Sequence, residues 1–266
     1  VEHCAARWES GKCMLVCIDK ITCGRMYQRI APRWQGKLAA LQAQVWAGEA
    51  QLQAATDDDQ RAEVHRALTR LRGQAAWMAD TLIQIIVSEG QGEVADFARW
   101  GVDIIPHRAL MKRGFEVTDP STGQAQSLDV DTAFKDPQHP FRVAIVCAMW
   151  LTGFDVECLS TLYIDKPMKA HTLMQAIARA NRVYPGKDFG LIVDYNGVLK
   201  SLRAALAQYA LGDDDGAAGE DVLEPLEDRV RAFLEAIEAT ELHLRGLGFE
   251  PGRLQGLTGF ARIQAL

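Results

Sequence analysis

The chain is 266 residues long, 48% hydrophobic and 24% charged, with a formal net charge of −6. That length allows one full core plus a second element, and the balance is ordinary for a soluble globular protein. No stretch reaches the roughly 18–20 uninterrupted apolar residues of a membrane span, and the negative charge argues against tight DNA binding by this piece alone, since phosphate contacts need Lys and Arg.

At the N-terminus Val1–Trp8 lacks a basic region followed by an apolar stretch, so no signal peptide is expected. A start without Met, close to a strand, suggests a piece cut from a longer cytoplasmic protein. Met14–Ile18 is a continuous apolar run bounded by charges, the pattern of a central parallel strand covered on both faces. Residues 21–44 read as a helix interrupted near Pro32. An inserted helical pair spans residues 45–78, with Thr56 or Asp57 opening its second member. Leu82–Val87 is a second strand, Glu93–Trp100 a helix, and Val117–Asp131 mostly loop around an Asp-Pro-Ser-Thr-Gly turn cluster.

Strands then alternate with helices: strand Arg142–Met149, strand Thr161–Ile164, helix His171–Arg182, strand Leu191–Val193 and helix Leu199–Tyr209. That alternation predicts an α/β fold with a parallel sheet. The run GDDDGAAGED (212–221) reads as a linker, and Leu223–Leu247 as an amphipathic helix opening a further, mainly helical region. The six cysteines, Cys4, Cys13, Cys17, Cys23, Cys147 and Cys158, form no CxxC pair, so reduced thiols are expected rather than a zinc site.

Nucleotide chemistry is conspicuous first by what is missing. No GxxxxGK(S/T) occurs: Gly11-Lys12 is followed by Cys13 and Gly186-Lys187 by Asp188. Without that loop, backbone amides cannot cradle phosphates and no hydroxyl is placed for magnesium. Asp194 ends a strand, as a metal-binding aspartate would, but reads as structural. The chain is expected not to hydrolyse nucleotide by itself.

Gln175, Arg179 and Arg182, by contrast, stand at i, i+4 and i+7, one face of one helix. Guanidinium groups bind phosphate oxygens in a fork and stabilise charge on a transferring phosphoryl group; a solvated basic face is the plainer alternative. Upstream, the apolar run from Val143 leads into LTGFD (151–155). Thr152 and Asp155 there flank Gly153 beyond a strand's carboxyl end, where open α/β sheets place ligand contacts. Thr152 could donate to a DNA phosphate and Asp155 could accept from a ribose hydroxyl.

The stretches LTGFD (151–155), LYIDKPMKAHTLMQAIARANR (162–182) and GLIVDYNG (190–197) resemble the restriction (R, HsdR) subunit of type I restriction-modification enzymes. MLVCID (14–19), IIVSEGQGE (85–93) and GVDIIPHRALM (101–111) fit the same family, so the resemblance covers roughly residues 1–210. It implies a RecA-like second motor lobe of a superfamily-two helicase over 1–210, with a helical insertion at about 45–80, a linker at 211–221 and the start of a C-terminal helical region at 222–266. It further implies ATP-dependent translocation of double-stranded DNA before cleavage, alongside methylation (M) and specificity (S) subunits and no membrane. ATP and Mg2+ would be bound mainly by a first lobe which, with the nuclease domain, lies outside these residues.

Carried over position by position, Arg182 would be the finger on the γ-phosphate, with Arg179 beside it and Gln175 positioning. Gly153 would admit close backbone approach, and Asp155 would sit near the ribose. Lys20, Lys166 and Thr152 would contact DNA, with His171 either lining that track or structural. The family often has a proline after LTGFD, where this chain carries Val156-Glu157-Cys158. Two other readings stay open: a lobe of a different superfamily-two helicase or remodelling ATPase, and a non-catalytic fragment.

Overall fold

A computed structural model describes residues 1–118, 123–151, 153–168, 170–185, 187, 189–198 and 226–246. Thr152, the segment 199–209 and the linker 211–221 lie outside the described residues. By density of contacts the chain divides into one unit of residues 1–44 and 71–200 and a second of residues 45–70 and 201–266.

The first unit is mixed α/β, built on a five-stranded parallel sheet with helices packed on it, the arrangement of a RecA-like lobe. Its strands are β1 (Lys12–Cys17), β2 (Leu82–Ile86), β5 (Phe141–Val146), β6 (Leu159–Asp165) and β7 (Leu191–Asp194), in the order β2-β5-β1-β6-β7. β1 occupies the middle, pairing Leu15 with Ile145 on one side and with Tyr163 on the other. All six of its residues are buried, and after Lys12 the strand is apolar without alternation, as a strand covered on both faces requires. Val16, Cys17, Ile85, Ile86, Ile145, Val146 and Ile164 form the fully buried centre.

Parallel neighbours need crossovers. β1 reaches β2 through α2 (Lys20–Ala54) and α3 (Asp58–Asp80), and β6 reaches β7 through α7 (Ala170–Ala180). Between β2 and β5 lie α4 (Glu93–Arg99), α5 (Ile105–Arg113), a small antiparallel ribbon of β3 (Phe115–Thr118) and β4 (Ala125–Leu128), and α6 (Val130–Lys135). α1 (Glu2–Ala6) precedes the sheet.

Two expectations are corrected. α2 is one continuous helix through Pro32, not a helix broken there. Pro32 is exposed, so water can satisfy the carbonyl that loses its partner, and Arg33 Nη1 donates to Arg29 O (3.0 Å) one turn back. Residues 117–131 are not mostly loop: the turn cluster connects the strands of the β3–β4 ribbon, and Asp129 caps α6 by accepting from Thr132 N (2.8 Å). The exposed, polar β4 sequence Ala-Gln-Ser-Leu gave no alternating signal.

The second unit holds the outer parts of α2 and α3 and the helix α8 (Leu226–Gly246). Asp57 opens α3, its Oδ2 accepting from Gln60 N at 3.1 Å. Val230, Phe233, Leu234 and Ile237 stand exposed along α8 at helical spacing.

Two packed sites yield measurable consequences. Phe134 is fully buried among Phe141, Trp150 and Phe154. Phe134→Ala is expected to lower the unfolding free energy by about 3–5 kcal/mol in denaturant titration; a loss below about 1 kcal/mol would show that this cluster is not core. His107 is buried, its Nδ1 2.7 Å from Gln84 Oε1, and burial depresses its pKa from 6.5 to about 4, with Asp103 opposing. The unfolded chain therefore binds the proton first. His107 contributes stability that is complete above about pH 6.5 and is lost as pH falls through about 4. Over that window the stability of His107→Gln should decline less than wild type, by on the order of 2–3 kcal/mol; parallel declines would contradict the assignment.

Candidate functional site

The loop from Cys147 to Cys158 carries the site. It leaves the carboxyl end of β5 and reaches the amino end of β6, where Cys158 O accepts from Lys12 N (2.9 Å). Trp150, Leu151, Phe154, Val156 and Cys158 turn inward, whereas Gly153 and Glu157 are exposed and Asp155 is part-exposed. Phe154 and Val156 are buried with Asp155 part-exposed between them, and Val156 O then accepts from Leu159 N (3.2 Å) in the turn that leads into β6.

Aromatic packing fixes this loop. Trp150 stacks on Phe154 with ring centroids 4.3 Å apart and planes at 17°, and on Phe134 at 5.2 Å. Its indole Nε1 donates to Asp131 Oδ1 (3.0 Å). Trp150 also adopts φ 69°, the only positive φ of a non-glycine among the described residues. A left-handed tryptophan persists only where its surroundings over-determine it, as they do here. Gly153 has φ 73° with nothing within 4 Å of where a Cβ would stand, so its backbone faces open space. It needs to be glycine for its torsion rather than for want of room.

Asp155 gathers both arginines. Its Oδ2 lies 2.8 Å from Arg182 Nη2, and its Oδ1 lies 3.9 Å from Arg179 Nη1. The Arg182 and Asp155 side chains are 50% and 42% exposed, so water screens their pairing. Such a pair contributes only about 0.2–1 kcal/mol and yields readily to a stronger anion. Oδ1 itself is buried and without a hydrogen-bond partner, although it belongs to a part-exposed residue: Oδ2 faces outward and Oδ1 inward. Of the two oxygens, the outward Oδ2 is the one that a ligand hydroxyl can reach.

One expectation about the helix changes. α7 ends at Ala180, with Asn181 N still bonded to Ile177 O (3.0 Å), so Arg182 lies two residues beyond the helix. It does not share a helix face with Gln175 and Arg179; Asp155 brings the arginines together instead. Arg179 lies in the last turn of α7, where a cation suits the helix dipole. Gln175, one turn earlier, is half-buried.

Lys20 and Lys166 stand elsewhere. α7 crosses back from β6 to β7 and so runs against the strands, placing Arg179 and Arg182 toward the sheet's amino edge. Lys20 and Lys166 follow the carboxyl ends of β1 and β6. Lys20 Nζ donates to Ser88 O (2.6 Å) and Lys166 Nζ to Cys147 O (2.8 Å). β1 sends its chain toward β2 and β6 toward β7, so the two lysines flank the point where the connections diverge. Thr152 and the His171 side chain lie outside what is described. Asp194 Oδ1 accepts from Asn196 N (2.9 Å), the local turn of a structural aspartate.

Several residues escaped the sequence reading. Trp150 and Asp131 anchor the loop, and the i, i+4 spacing of Trp150 and Phe154 is the one local hint of it. Arg108 and Glu93 form a buried two-pronged pair (2.7 and 2.9 Å); Arg108 also donates to Val87 O and Glu93 accepts from Gly90 N, pinning the turn after β2. All six cysteines are buried free thiols. Cys147, hydrogen-bonded to Cys23 and near Lys166 and Lys20, is held down to about 6. Lys12 is 1% exposed, donates to Ala133 O (2.8 Å), and burial lowers its pKa to about 8. Among the described residues no three His, Cys, Asp or Glu side chains gather to hold a metal, and no helix is long and apolar enough to cross a membrane.

Known proteins share this region. Residues 104–197 match the family described as type I restriction enzyme subunit R domain 3. The type I restriction enzyme HindI endonuclease subunit of Haemophilus influenzae is 55% identical over 96 residues, 35% of this chain and 9% of that protein. The putative type I restriction enzyme MjaIXP endonuclease subunit of Methanocaldococcus jannaschii is 56% identical over 77 residues, 29% of this chain and 7% of that one. The SsaAORF53P endonuclease subunit of Staphylococcus saprophyticus is 45% identical over 73 residues, 27% and 8% respectively. The matched stretches thus span less than a tenth of the length of these relatives. Residues 104–197, which hold the loop, both arginines and the last three strands of the sheet, are similar to the corresponding part of type I restriction enzyme R subunits.

Proposed function

We propose that this chain is the second motor lobe of a type I restriction enzyme R subunit and supplies the arginine half of an ATP site completed by another lobe. One observation carries the proposal: Arg179 and Arg182 meet at the surface on a single, weakly held carboxylate, in a chain without any phosphate-binding loop. Two guanidinium groups so placed are available to a triphosphate presented from outside, and the 0.2–1 kcal/mol scale of an exposed ion pair makes the exchange easy. The similarity to endonuclease subunits of type I restriction enzymes supports the same assignment.

In this reading Arg182 donates to the γ-phosphate oxygens as charge builds on them, Arg179 adds a second cation, and Gln175 orients the group from one turn away. Gly153 lets nucleotide approach the backbone without a side chain in between. Asp155, once Arg182 leaves it, accepts from a ribose hydroxyl through its outward Oδ2. Mg2+ and the phosphate-cradling amides belong to the first lobe. Lys20 and Lys166 each spend one N–H on a backbone carbonyl and retain others for the phosphates of double-stranded DNA, as Thr152 would with its hydroxyl. Translocation serves cleavage by a nuclease domain of the same polypeptide in the cytoplasm, working with methylation and specificity subunits.

Arg182→Ala, in the full-length parent assembled with its partner subunits, is expected to cut DNA-stimulated ATP hydrolysis by about 10³–10⁵ while ATP still binds. Near-normal turnover would remove Arg182 from the site and leave the arginines as a solvated surface.

A further inference from the structure

The two oxygens of Asp155 do different things. Oδ1 is buried and free of hydrogen bonds, while Oδ2 faces outward and holds Arg182 at 2.8 Å, with Arg179 3.9 Å from Oδ1. The stacked Trp150 and Phe154 fix the backbone immediately before Asp155, and Val156 and Cys158 are buried immediately after it. The carboxylate is therefore a rigid partner, whereas Arg182 reaches it from beyond the end of α7. From this asymmetry we propose that Asp155 is an arginine latch: in the nucleotide-free lobe its charge sequesters Arg182, and nucleotide must win the guanidinium from it. The inference rests on the arginine-finger reading and adds a positioning and regulatory role to it.

The consequence follows from competition. A guanidinium bound to Oδ2 presents fewer donors to a phosphate, so apparent nucleotide affinity scales with the fraction of time that Arg182 is free. Release by nucleotide therefore couples arginine engagement to arrival of a triphosphate from the other lobe. The pairing is part-exposed and hence weak, so the latch sets a modest threshold rather than a block.

Asp155→Asn separates the roles, because an amide oxygen still accepts from a ribose hydroxyl but carries no charge to hold arginine. The measurement is the equilibrium Kd of an ATP analogue with a non-hydrolysable β–γ bridge, in the assembled full-length complex. Wild type, Asp155→Asn, Arg182→Ala and the double variant are compared, with Asp155→Glu as the charge-restoring control. The latch predicts binding up to about fivefold tighter in Asp155→Asn, no such gain when Arg182 is already Ala, and return toward wild type in Asp155→Glu. Unchanged or weaker binding in Asp155→Asn would overturn it, as would equal tightening in both arginine backgrounds. If Arg182→Ala alone retains wild-type turnover, the arginine-finger reading itself fails, which the Kd comparison does not by itself decide.

Discussion

Everything at the site depends on the packing of Trp150 between Phe154 and Phe134. The ring stack at 4.3 Å and the indole bond to Asp131 hold a left-handed backbone that would otherwise relax. Once the loop is fixed there, Phe154 and Val156 are buried and Asp155 between them is left part-exposed. The arginines then need no common helix face. A carboxylate held from below is sufficient to draw in Arg179 from the last turn of α7 and Arg182 from beyond it.

The sheet explains why the site residues separate into two groups. Because α7 returns against the strands, residues at its C-terminal end sit toward the amino edge, and residues following the strands sit at the opposite one. Asp155 and the arginines occupy the first position and Lys20 and Lys166 the second. A motor lobe that touches nucleotide with one region and DNA with another gains from such separation. In the proposed reading two lysines at that edge suit a chain whose net charge of −6 favours a light hold on DNA.

The sequence was readable where a local rule governs. Apolar runs marked β1 and β5, buried along nearly their whole length, because strands covered on both faces have few polar positions to interrupt them. Arg179 and Arg182 stood out as a pair from residue type and spacing, although the end of α7 falls between them. Pro32 misled because its cost depends on exposure, which local sequence does not state. Nor could Lys12, buried near Ala133 and Phe134, be anticipated inside an apolar strand. Contacts such as Trp150 with Asp131 and Arg108 with Glu93 join residues about 15–19 positions apart through tertiary packing, and no periodicity encodes them.

The central claim is that Arg182 leaves Asp155 for a phosphoryl group supplied by another lobe. The most direct measurement is a structure of the full-length parent in its assembled complex with ADP and aluminium fluoride, a mimic of the transferring phosphoryl group. The account predicts the Arg182 guanidinium within hydrogen-bond distance of fluoride and released from Asp155 Oδ2. Arg182 still paired with Asp155, with the fluoride surrounded entirely by residues from elsewhere, would contradict it.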